Sequence, residues 1–398
     1  MIRHQVYFDT LGSMKEGSPS WRSVFAGLSV LRLVDTYDTS VGTVTSANWA
    51  QLHSVRAAIE EMSDGDVIRG VLTAVLDAVT ARNTIDDNVC VALLAYGRAL
   101  DYEASWGLAV DVFSTVAKLV KPERNPKLAV EANVAVGGAA RRNGDWEISG
   151  RAYSQAAYIA DTLGDRPGVL TVQIGIANTY LAKGNLPQAQ TILDDVIVQA
   201  RDQNLPELQA DALHARSALV YRQGKASEGL AYAHEALKVM TRAGSRDVLL
   251  GDIAAMLAEL GFRDAARDAH LLLSATAQSK VVRWSAYLNL MELASLDGDE
   301  ESFRRYAREL ANAPLGPWIR SHYLLTIGEA FQRFGQMDLA VESLEEAAIF
   351  AEVNQIHQIA FKAQSALEAA RSKPLRPSEF VPPLPWVPDE VSAVRETI

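Results

Sequence analysis

The sequence has one cysteine, Cys90, and no apolar run long enough to cross a membrane. A single thiol excludes an intrachain disulfide, and a membrane-spanning helix needs about 20 predominantly apolar residues. The first ten residues, MIRHQVYFDT, lack the unbroken apolar stretch and the small-residue cleavage site of a signal peptide. We therefore expect a cytoplasmic protein without membrane insertion.

Positive charge and catalytic motifs are also scarce. The chain has 38 Lys and Arg residues against 49 Asp and Glu, a formal net charge of −11. Nonspecific binding to nucleic acid is disfavoured, because phosphate backbones require a basic face. The sequence contains no GxSxG, P-loop, GxGxxG or HExxH motif, so no nucleophilic, nucleotide-dependent or metal-dependent chemistry is indicated. We expect no enzymatic activity, no metal and no cofactor.

Evenly spaced glycines are the strongest positive signal. Gly144, Gly184 and Gly224 lie 40 residues apart, and three further glycines continue the series at intervals of 37. These three are Gly261, Gly298 and Gly335, and a weaker unit at Ala104 extends the series towards the N-terminus. A period in this range is typical of a solenoid built from one repeated unit. Such a fold needs no single core for all 398 residues.

Each unit has the pattern of a helical hairpin. In the unit 170–200, apolar or small residues recur at helical spacing on both sides of Gly184. A glycine just past the end of a helix is the usual C-terminal capping residue. The expected first turns of the first helices in three units contain Pro126, Pro167 and Pro206. Proline suits the first turn of a helix.

Small and large residues alternate at corresponding positions of the units. The first helices carry small residues at Gly97, Gly137, Ala177, Ser217, Ala254 and Gly328. The second helices carry large ones at Phe113, Tyr153, Leu193 and Leu344. Small residues let two helices approach closely, and a large residue fills the adjoining hole.

With these positions the chain resembles a tetratricopeptide (TPR) array over residues 86–352. The resemblance implies an all-α fold, an α-solenoid with about seven hairpins in a right-handed TPR-like superhelix. Residues 1–18 are expected to be irregular, 19–85 to form an N-terminal helical module or cap, and 353–372 to form a C-terminal capping helix. Residues 373–398 form a proline-rich tail, in which FVPPLPWVP has the PxxP spacing of a polyproline ligand. This tail either binds a partner or packs on its own solenoid.

The resemblance also implies a partner-binding groove lined by the first helices. The positions that face this groove in the family correspond here to Arg98, Arg141, Arg142, Asn178, His214, Tyr221, Arg222, Glu259, Glu292, Glu329 and Arg333. The arginines are concentrated in the earlier units and the glutamates in the later ones. We hypothesise that the earlier part receives an acidic segment or a C-terminal carboxylate, because arginine binds carboxylates bidentately. The alternative is that these arginines are solvated helix ends, where positive charge is also favourable.

Three functions fit this architecture. The first is a non-catalytic interaction scaffold or adaptor that binds a protein or peptide segment in the groove. The second is a peptide-sensing regulator, since the layout is similar to that of bacterial pheromone-sensing regulators, whose N-terminal module is repositioned by groove binding. The third is a structural subunit of a larger complex. Homo-oligomerisation is compatible with all three.

Overall fold

The protein is all-helical. The structure, a computed structural model, describes residues 3–39, 46–82, 85–313, 315–354 and 356–372. These residues form nineteen α-helices and no strand. The proline-rich tail 373–398 lies outside the described residues. The chain divides into two compact units, Met1–Ile192 and Leu193–Ile398, which are described separately below.

Four helices precede the repeats. They are α1 (Gln5–Ser13), α2 (Pro19–Thr39), α3 (Ser46–Glu60) and α4 (Val67–Arg82). The expectation that residues 1–18 are irregular was wrong, because α1 is helical and buries Tyr7. Its helical signal is weak in the sequence, because the helix has only nine residues and its contacts are made with distant parts of the chain.

Seven successive helical hairpins follow, and one further helix comes after them. The first helices of the hairpins are α5 (Asp87–Tyr102), α7 (Pro126–Asn143), α9 (Arg166–Ala182), α11 (Pro206–Arg222), α13 (Ala243–Glu259), α15 (Lys280–Leu296) and α17 (Pro317–Arg333). The second helices are α6 (Trp106–Leu119), α8 (Trp146–Thr162), α10 (Leu186–Asp202), α12 (Ala226–Val239), α14 (Arg263–Thr276), α16 (Glu300–Ala311) and α18 (Met337–Val353). The last helix is α19 (His357–Ser372). Pro126, Pro167 and Pro206 occupy first turns as expected.

The hairpin turns share one backbone geometry. All six glycines of the periodic series have left-handed backbone angles, with φ from 72° to 87°, and Ala104 adopts the same region at 57°. At each turn, the next amide donates a hydrogen bond of 2.8–3.3 Å to the carbonyl five residues earlier, as Asp145 does to Ala140. This is the Schellman arrangement, which satisfies carbonyls at a helix end. The period of the sequence therefore marks real turns, including the weak unit at Ala104.

The small and large positions contact each other within hairpins. Gly97 packs against Phe113, and Gly137 packs against the Tyr153 ring. In unit 2, Gly328 packs against Leu344 in the same way. A Cβ atom at any of the three would lie less than 3.0 Å from the facing side chain. The packing expected from the alternation of small and large residues is confirmed at these hairpins.

We expect the Gly97→Ala substitution to destabilise the protein by about 1–3 kcal/mol, the usual cost of overpacking. The added Cβ would lie 2.3 Å from the Phe113 ring, and that ring is buried, so the core has to shift to accommodate it. Gly150→Ala in α8 is the matched control, because a Cβ there meets nothing within 4 Å. This control should stabilise the helix by about 0.5–1 kcal/mol. Urea unfolding followed by circular dichroism measures both, and equal effects would contradict the packing described here.

Helix α1 is held in unit 1 by polar contacts that flank it. His4 precedes the helix and is buried, with its Nδ1 atom 2.5 Å from Asp111 Oδ2 and its Nε2 atom 3.2 Å from Asp35 Oδ2. Asp35 belongs to α2 and Asp111 to α6, so His4 bridges the N-terminal helices and the first hairpin. The hydroxyls of Tyr7 and Tyr96 lie 3.0 Å apart in the core below. One continuous hydrophobic core joins the N-terminal helices to the first hairpins.

Candidate functional site

The first helices of the hairpins in unit 1 present an arginine-rich surface, which we call the A-helix surface of unit 1 (α5, α7 and α9). Arg98 of α5 forms an ion pair with Glu131 of α7, and both side chains are about half exposed. Arg142 of α7 binds Asp101 of α5 through two bonds, Nε to Oδ1 at 2.9 Å and Nη2 to Oδ2 at 2.5 Å. This surface has three of the arginines expected to face a ligand, Arg98, Arg141 and Arg142. Two of them, Arg98 and Arg142, are therefore already paired with carboxylates of the neighbouring first helix.

Arg141 is the exception on this surface. Its Nε atom is buried and has no hydrogen-bond partner among the described residues. Burial lowers the pKa of the guanidinium, and an interaction with the Tyr153 hydroxyl partly offsets this effect. Because no carboxylate in the described part of the chain forms an ion pair with it, Arg141 is the arginine of this surface best placed to receive an anion.

Tyr153 reaches this surface from the second helix α8. Its ring lies against Gly137 of α7 and Gly175 of α9, where a Cβ atom would come within 2.8 Å and 2.3 Å of the ring. Only glycine leaves enough room for the ring between the two first helices. Burial raises the pKa of the Tyr153 phenol, and the nearby arginines act in the opposite direction. The hydroxyl therefore remains protonated at neutral pH and can donate a hydrogen bond.

The neighbouring helix α9 contributes an acceptor. The Oε1 atom of Gln173 is buried and also lacks a hydrogen-bond partner among the described residues. Asn178, the predicted groove residue of α9, is half-buried. Leaving a buried polar atom unpaired costs about 1–3 kcal/mol. A ligand with both an anionic group and a donor would satisfy Arg141 and Gln173.

The predicted site residues of unit 2 form a predominantly acidic group. Burial raises the pKa of Tyr221, and a hydrogen bond to Glu259 and the charge of Glu292 raise it further. These interactions bring together Tyr221 of α11, Glu259 of α13 and Glu292 of α15, and both glutamates are exposed. This part of unit 2 can accept a cationic group but does not attract an anion.

Three of the remaining predicted residues, Glu329, Arg333 and His214, contact other side chains of this chain. Burial raises the pKa of Glu329, and Arg333 opposes this shift at 3.5 Å. Arg333 also donates to the Ser295 hydroxyl at 2.9 Å. His214 Nε2 lies 2.7 Å from Asp252 Oδ2. Arg222 is exposed at the end of α11.

The described residues include side chains that can bind metals and one thiol, Cys90. They contain no group of three or more His, Cys, Asp and Glu side chains arranged to hold a metal ion. Cys90 is buried, and burial together with Asp87 and Asp86 raises the pKa of its thiol to about 12. A thiol with that pKa is a poor nucleophile at neutral pH. No helix within the described ranges is long and apolar enough to cross a membrane.

A solved structure shares this fold, although no known family model and no curated protein matches the sequence. NprR in complex with its cognate peptide NprX aligns over 89% of this chain and 92% of that chain, with 14% identity and a TM-score of 0.52. The likeness to NprR shows the fold. It confirms the all-α helical-repeat solenoid expected from the sequence.

Two further solved structures resemble the chain less well. A Rap protein complexed with competence and sporulation factor aligns over 88% of this chain and 97% of that one, with 13% identity and a TM-score of 0.46. The Rap conjugation gene regulator of the plasmid pLS20, in complex with the Phr* peptide, aligns over 87% and 96%, with 10% identity and a TM-score of 0.45.

Sequence reasoning missed two members of the unit 1 site. Tyr153 was interpreted as a residue that fills the hole beside Gly137, and it does so, but its hydroxyl also reaches Arg141. Gln173 was not singled out at all. A signal for the first was available, because glycines at 137, 138 and 175 in consecutive first helices leave room for one large side chain from between them.

Proposed function

We propose that this protein is a non-catalytic, cytoplasmic peptide-binding protein that holds a peptide or protein segment against the A-helix surface of unit 1. The observation that carries the proposal is the pair of buried, unpartnered polar atoms on adjacent first helices, Arg141 Nε and Gln173 Oε1. A peptide that forms hydrogen bonds with both atoms removes the cost of about 1–3 kcal/mol that each incurs when it is buried without a partner.

A carboxylate is the group that fits Arg141. Hydrogen bonds between a guanidinium and a carboxylate are charge-assisted and about twice as strong as neutral ones. The Tyr153 hydroxyl adds a further hydrogen-bond donor beside the Arg141 guanidinium. Gln173 Oε1 can accept a hydrogen bond from a backbone amide of the ligand. The partner therefore carries an acidic side chain or a C-terminal carboxylate, followed or preceded by extended backbone.

The fold is consistent with this use. NprR, which shares the fold, has been solved with its cognate peptide bound. Helical-repeat solenoids offer extended surfaces made of parallel helices, and such surfaces commonly bind extended ligands.

A sensing regulator is a second candidate function, favoured by one contact. His4 joins α2 of the N-terminal helices to α6 of the first hairpin through Asp35 and Asp111. A ligand on the neighbouring first helices would act on the same continuous core as the N-terminal helices. Under this candidate function, peptide binding changes the protection of α1 and α2 from amide hydrogen exchange.

Peptide selection followed by calorimetry tests the proposal. A random dodecapeptide library displayed with free C-termini is panned against the full chain, and dissociation constants are measured for the selected peptides. We expect Arg141→Gln to weaken binding at least about tenfold, because a hydrogen bond to a charged group contributes about 1.5–3 kcal/mol. Gln173→Leu should weaken it several-fold.

Arg151→Gln is the matched control for charge. Arg151 lies on the second helix α8, is well exposed and contacts Glu147 at 3.4 Å. The same loss of one positive charge there should change affinity less than about twofold, since exposed ion pairs contribute about 0–1 kcal/mol. Failure to select any peptide, or equal binding by the Arg141 and Arg151 variants, would contradict the proposed site.

A further inference from the structure

A cavity of about 470 Å³ lies in unit 2 between α16 and α17. Its lining residues are Glu301, Phe303, Arg304, Ala307 and Arg308 of α16 with Ile327 and Phe331 of α17. The volume falls within the range of about 300–1,000 Å³ that is usual for small-molecule sites. None of these residues belongs to the candidate site described above.

The floor of the cavity is apolar and held in place by aromatic packing. Phe303 is buried, and its ring packs edge-on against Phe331 and Phe334, with centroids 6.4 Å and 5.4 Å apart. The Tyr323 hydroxyl donates to the Ala307 carbonyl at 3.3 Å and links the two helices. Edge-to-face ring contacts of this kind stabilise a fixed arrangement, so the cavity has defined walls.

Two arginines form one edge of the cavity. Arg304 and Arg308 lie one helical turn apart, and both are exposed. Arg304 is paired with Glu300 at 2.5 Å. Arg308 donates from Nε to the Arg304 carbonyl at 3.3 Å, and no carboxylate within the described part of the chain pairs with it. Arg246, Arg283 and Arg305 of unit 2 contact backbone carbonyls or hydroxyls and likewise form no ion pair with a described carboxylate, but of these arginines only Arg308 lines the cavity.

The cavity is separate from the predicted partner surface. Ile327 and Phe331, which line it, are four residues apart on one face of α17. Glu329 and Arg333 are offset from them by two residues, which is about 200° around a helix of 3.6 residues per turn. The cavity therefore opens on the side of α17 away from Glu329 and Arg333.

We propose that this cavity binds a small amphipathic carboxylate, with its apolar body against Phe303, Ile327 and Phe331 and its carboxylate on Arg308. The floor offers few polar groups to a hydrophilic ligand, and the arginine edge disfavours a cation. Glu301 at the rim repels a second negative charge, so a monoanion is preferred over a dianion. The unpaired guanidinium of Arg308 supplies the anchor that fixes the orientation of the ligand.

Calorimetry on the full-length chain tests this site with decanoate and 4-phenylbutyrate as probes. We expect saturable binding with one site per chain and at least tenfold weaker binding by Arg308→Gln. Arg305→Gln is the matched control, because Arg305 neighbours Arg304 but contacts Ser302 and Tyr306 and does not line the cavity. Its affinity should lie within twofold of the unsubstituted protein.

The chemistry of the probe separates the competing explanations. Decanol, which has the same apolar body without the charge, should bind at least tenfold more weakly than decanoate, and acetate should not bind. Equal binding of decanol and decanoate, or equal losses in the Arg305 and Arg308 variants, would overturn the proposal. If a blocked Phe-Asp dipeptide bound tenfold more tightly than decanoate, the occupant would be a protein segment, and a small-molecule site would be contradicted.

Discussion

The His4→Ala variant is expected to lose about 2–4 kcal/mol of its free energy of unfolding at pH 6. Removing one partner of a buried ion pair costs about 3–5 kcal/mol, because the other charge is left uncompensated. The His4 side chain is only 4% exposed and contacts both Asp111 and Asp35, whose side chains are 23% and 22% exposed. Water reaches the two carboxylates in part, which reduces the expected loss.

Arg3→Ala is the control for this variant. Arg3 contacts Asp35 at 2.7 Å, as His4 does at 3.2 Å, but its side chain is 63% exposed. Exposed pairs contribute about 0–1 kcal/mol, so this variant should be nearly neutral. Urea unfolding monitored by circular dichroism measures both. A His4→Ala variant as stable as Arg3→Ala would show that α1 is not held by this contact.

The contribution of His4 should also depend on pH in a defined direction. Burial alone lowers the pKa of His4, but the hydrogen bonds and charges of Asp111 and Asp35 outweigh it, so the pKa is raised above 6.5. A raised pKa means that the folded state binds the proton more tightly than the unfolded state. The stabilisation is therefore complete below pH 6.5 and is lost as the pH rises through the pKa of the folded state. The difference between His4→Ala and the unsubstituted protein should shrink from pH 6 to pH 9.

The His270→Leu variant is expected to be more stable than the unsubstituted protein, with a larger gain in acid. His270 lies on α14 where the repeat pattern has a large apolar residue, and its Nδ1 atom is buried and has no hydrogen-bond partner within the described ranges. Removing a buried polar atom that has no hydrogen-bond partner should stabilise the protein by about 1–2 kcal/mol at pH 7.5. Leucine has a similar volume, so the core should tolerate it.

The contribution of His270 to stability changes with pH in the opposite direction to that of His4. Burial lowers the pKa of His270 from 6.5 to about 4, so the unfolded state binds its proton first as the pH falls. The stability associated with neutral His270 is present above pH 6.5 and is lost between pH 6.5 and about 4. At pH 5 this amounts to about 2 kcal/mol by proton linkage. The gain from His270→Leu should therefore roughly double or triple between pH 7.5 and pH 5. A gain that is equal at both values would contradict a buried neutral histidine.

The repeat architecture could be predicted from the sequence because its signals are local. A glycine at a turn acts through its own φ angle, and the period of the glycines places each hairpin. The small residue at Gly97 and the large residue at Phe113 report one contact inside one hairpin. Even the turn at Ala104 was located from the period alone, although it lacks the glycine.

The sequence analysis could not predict in the same way which arginines of the candidate site form ion pairs, because their carboxylate partners lie on neighbouring helices. Arg142 and Asp101 are 41 residues apart, and Arg98 and Glu131 are 33 apart. Separations close to one repeat place two residues side by side on adjacent first helices. A search for opposite charges at that separation would have indicated that Arg98 is paired. It would not have distinguished Arg142 from Arg141, which lies 40 residues after Asp101.

The N-terminal helix escaped prediction for a related reason. The residue before α1, His4, has partners 31 and 107 residues away, and no local pattern reveals them. Tyr7 is buried against Tyr96, which is 89 residues away. Long-range contacts, rather than helical periodicity, fix this segment.

A double-mutant cycle between Arg141 and the carboxylate of a selected peptide tests the central claim most directly. Affinities are measured for the unsubstituted chain and Arg141→Gln, each with the peptide and with its amide analogue. If the carboxylate binds Arg141, the two changes are not additive, and the loss caused by amidation should fall from at least about tenfold to less than about twofold in the variant. Equal losses from amidation in both proteins would show that the carboxylate binds elsewhere and would contradict the proposed site.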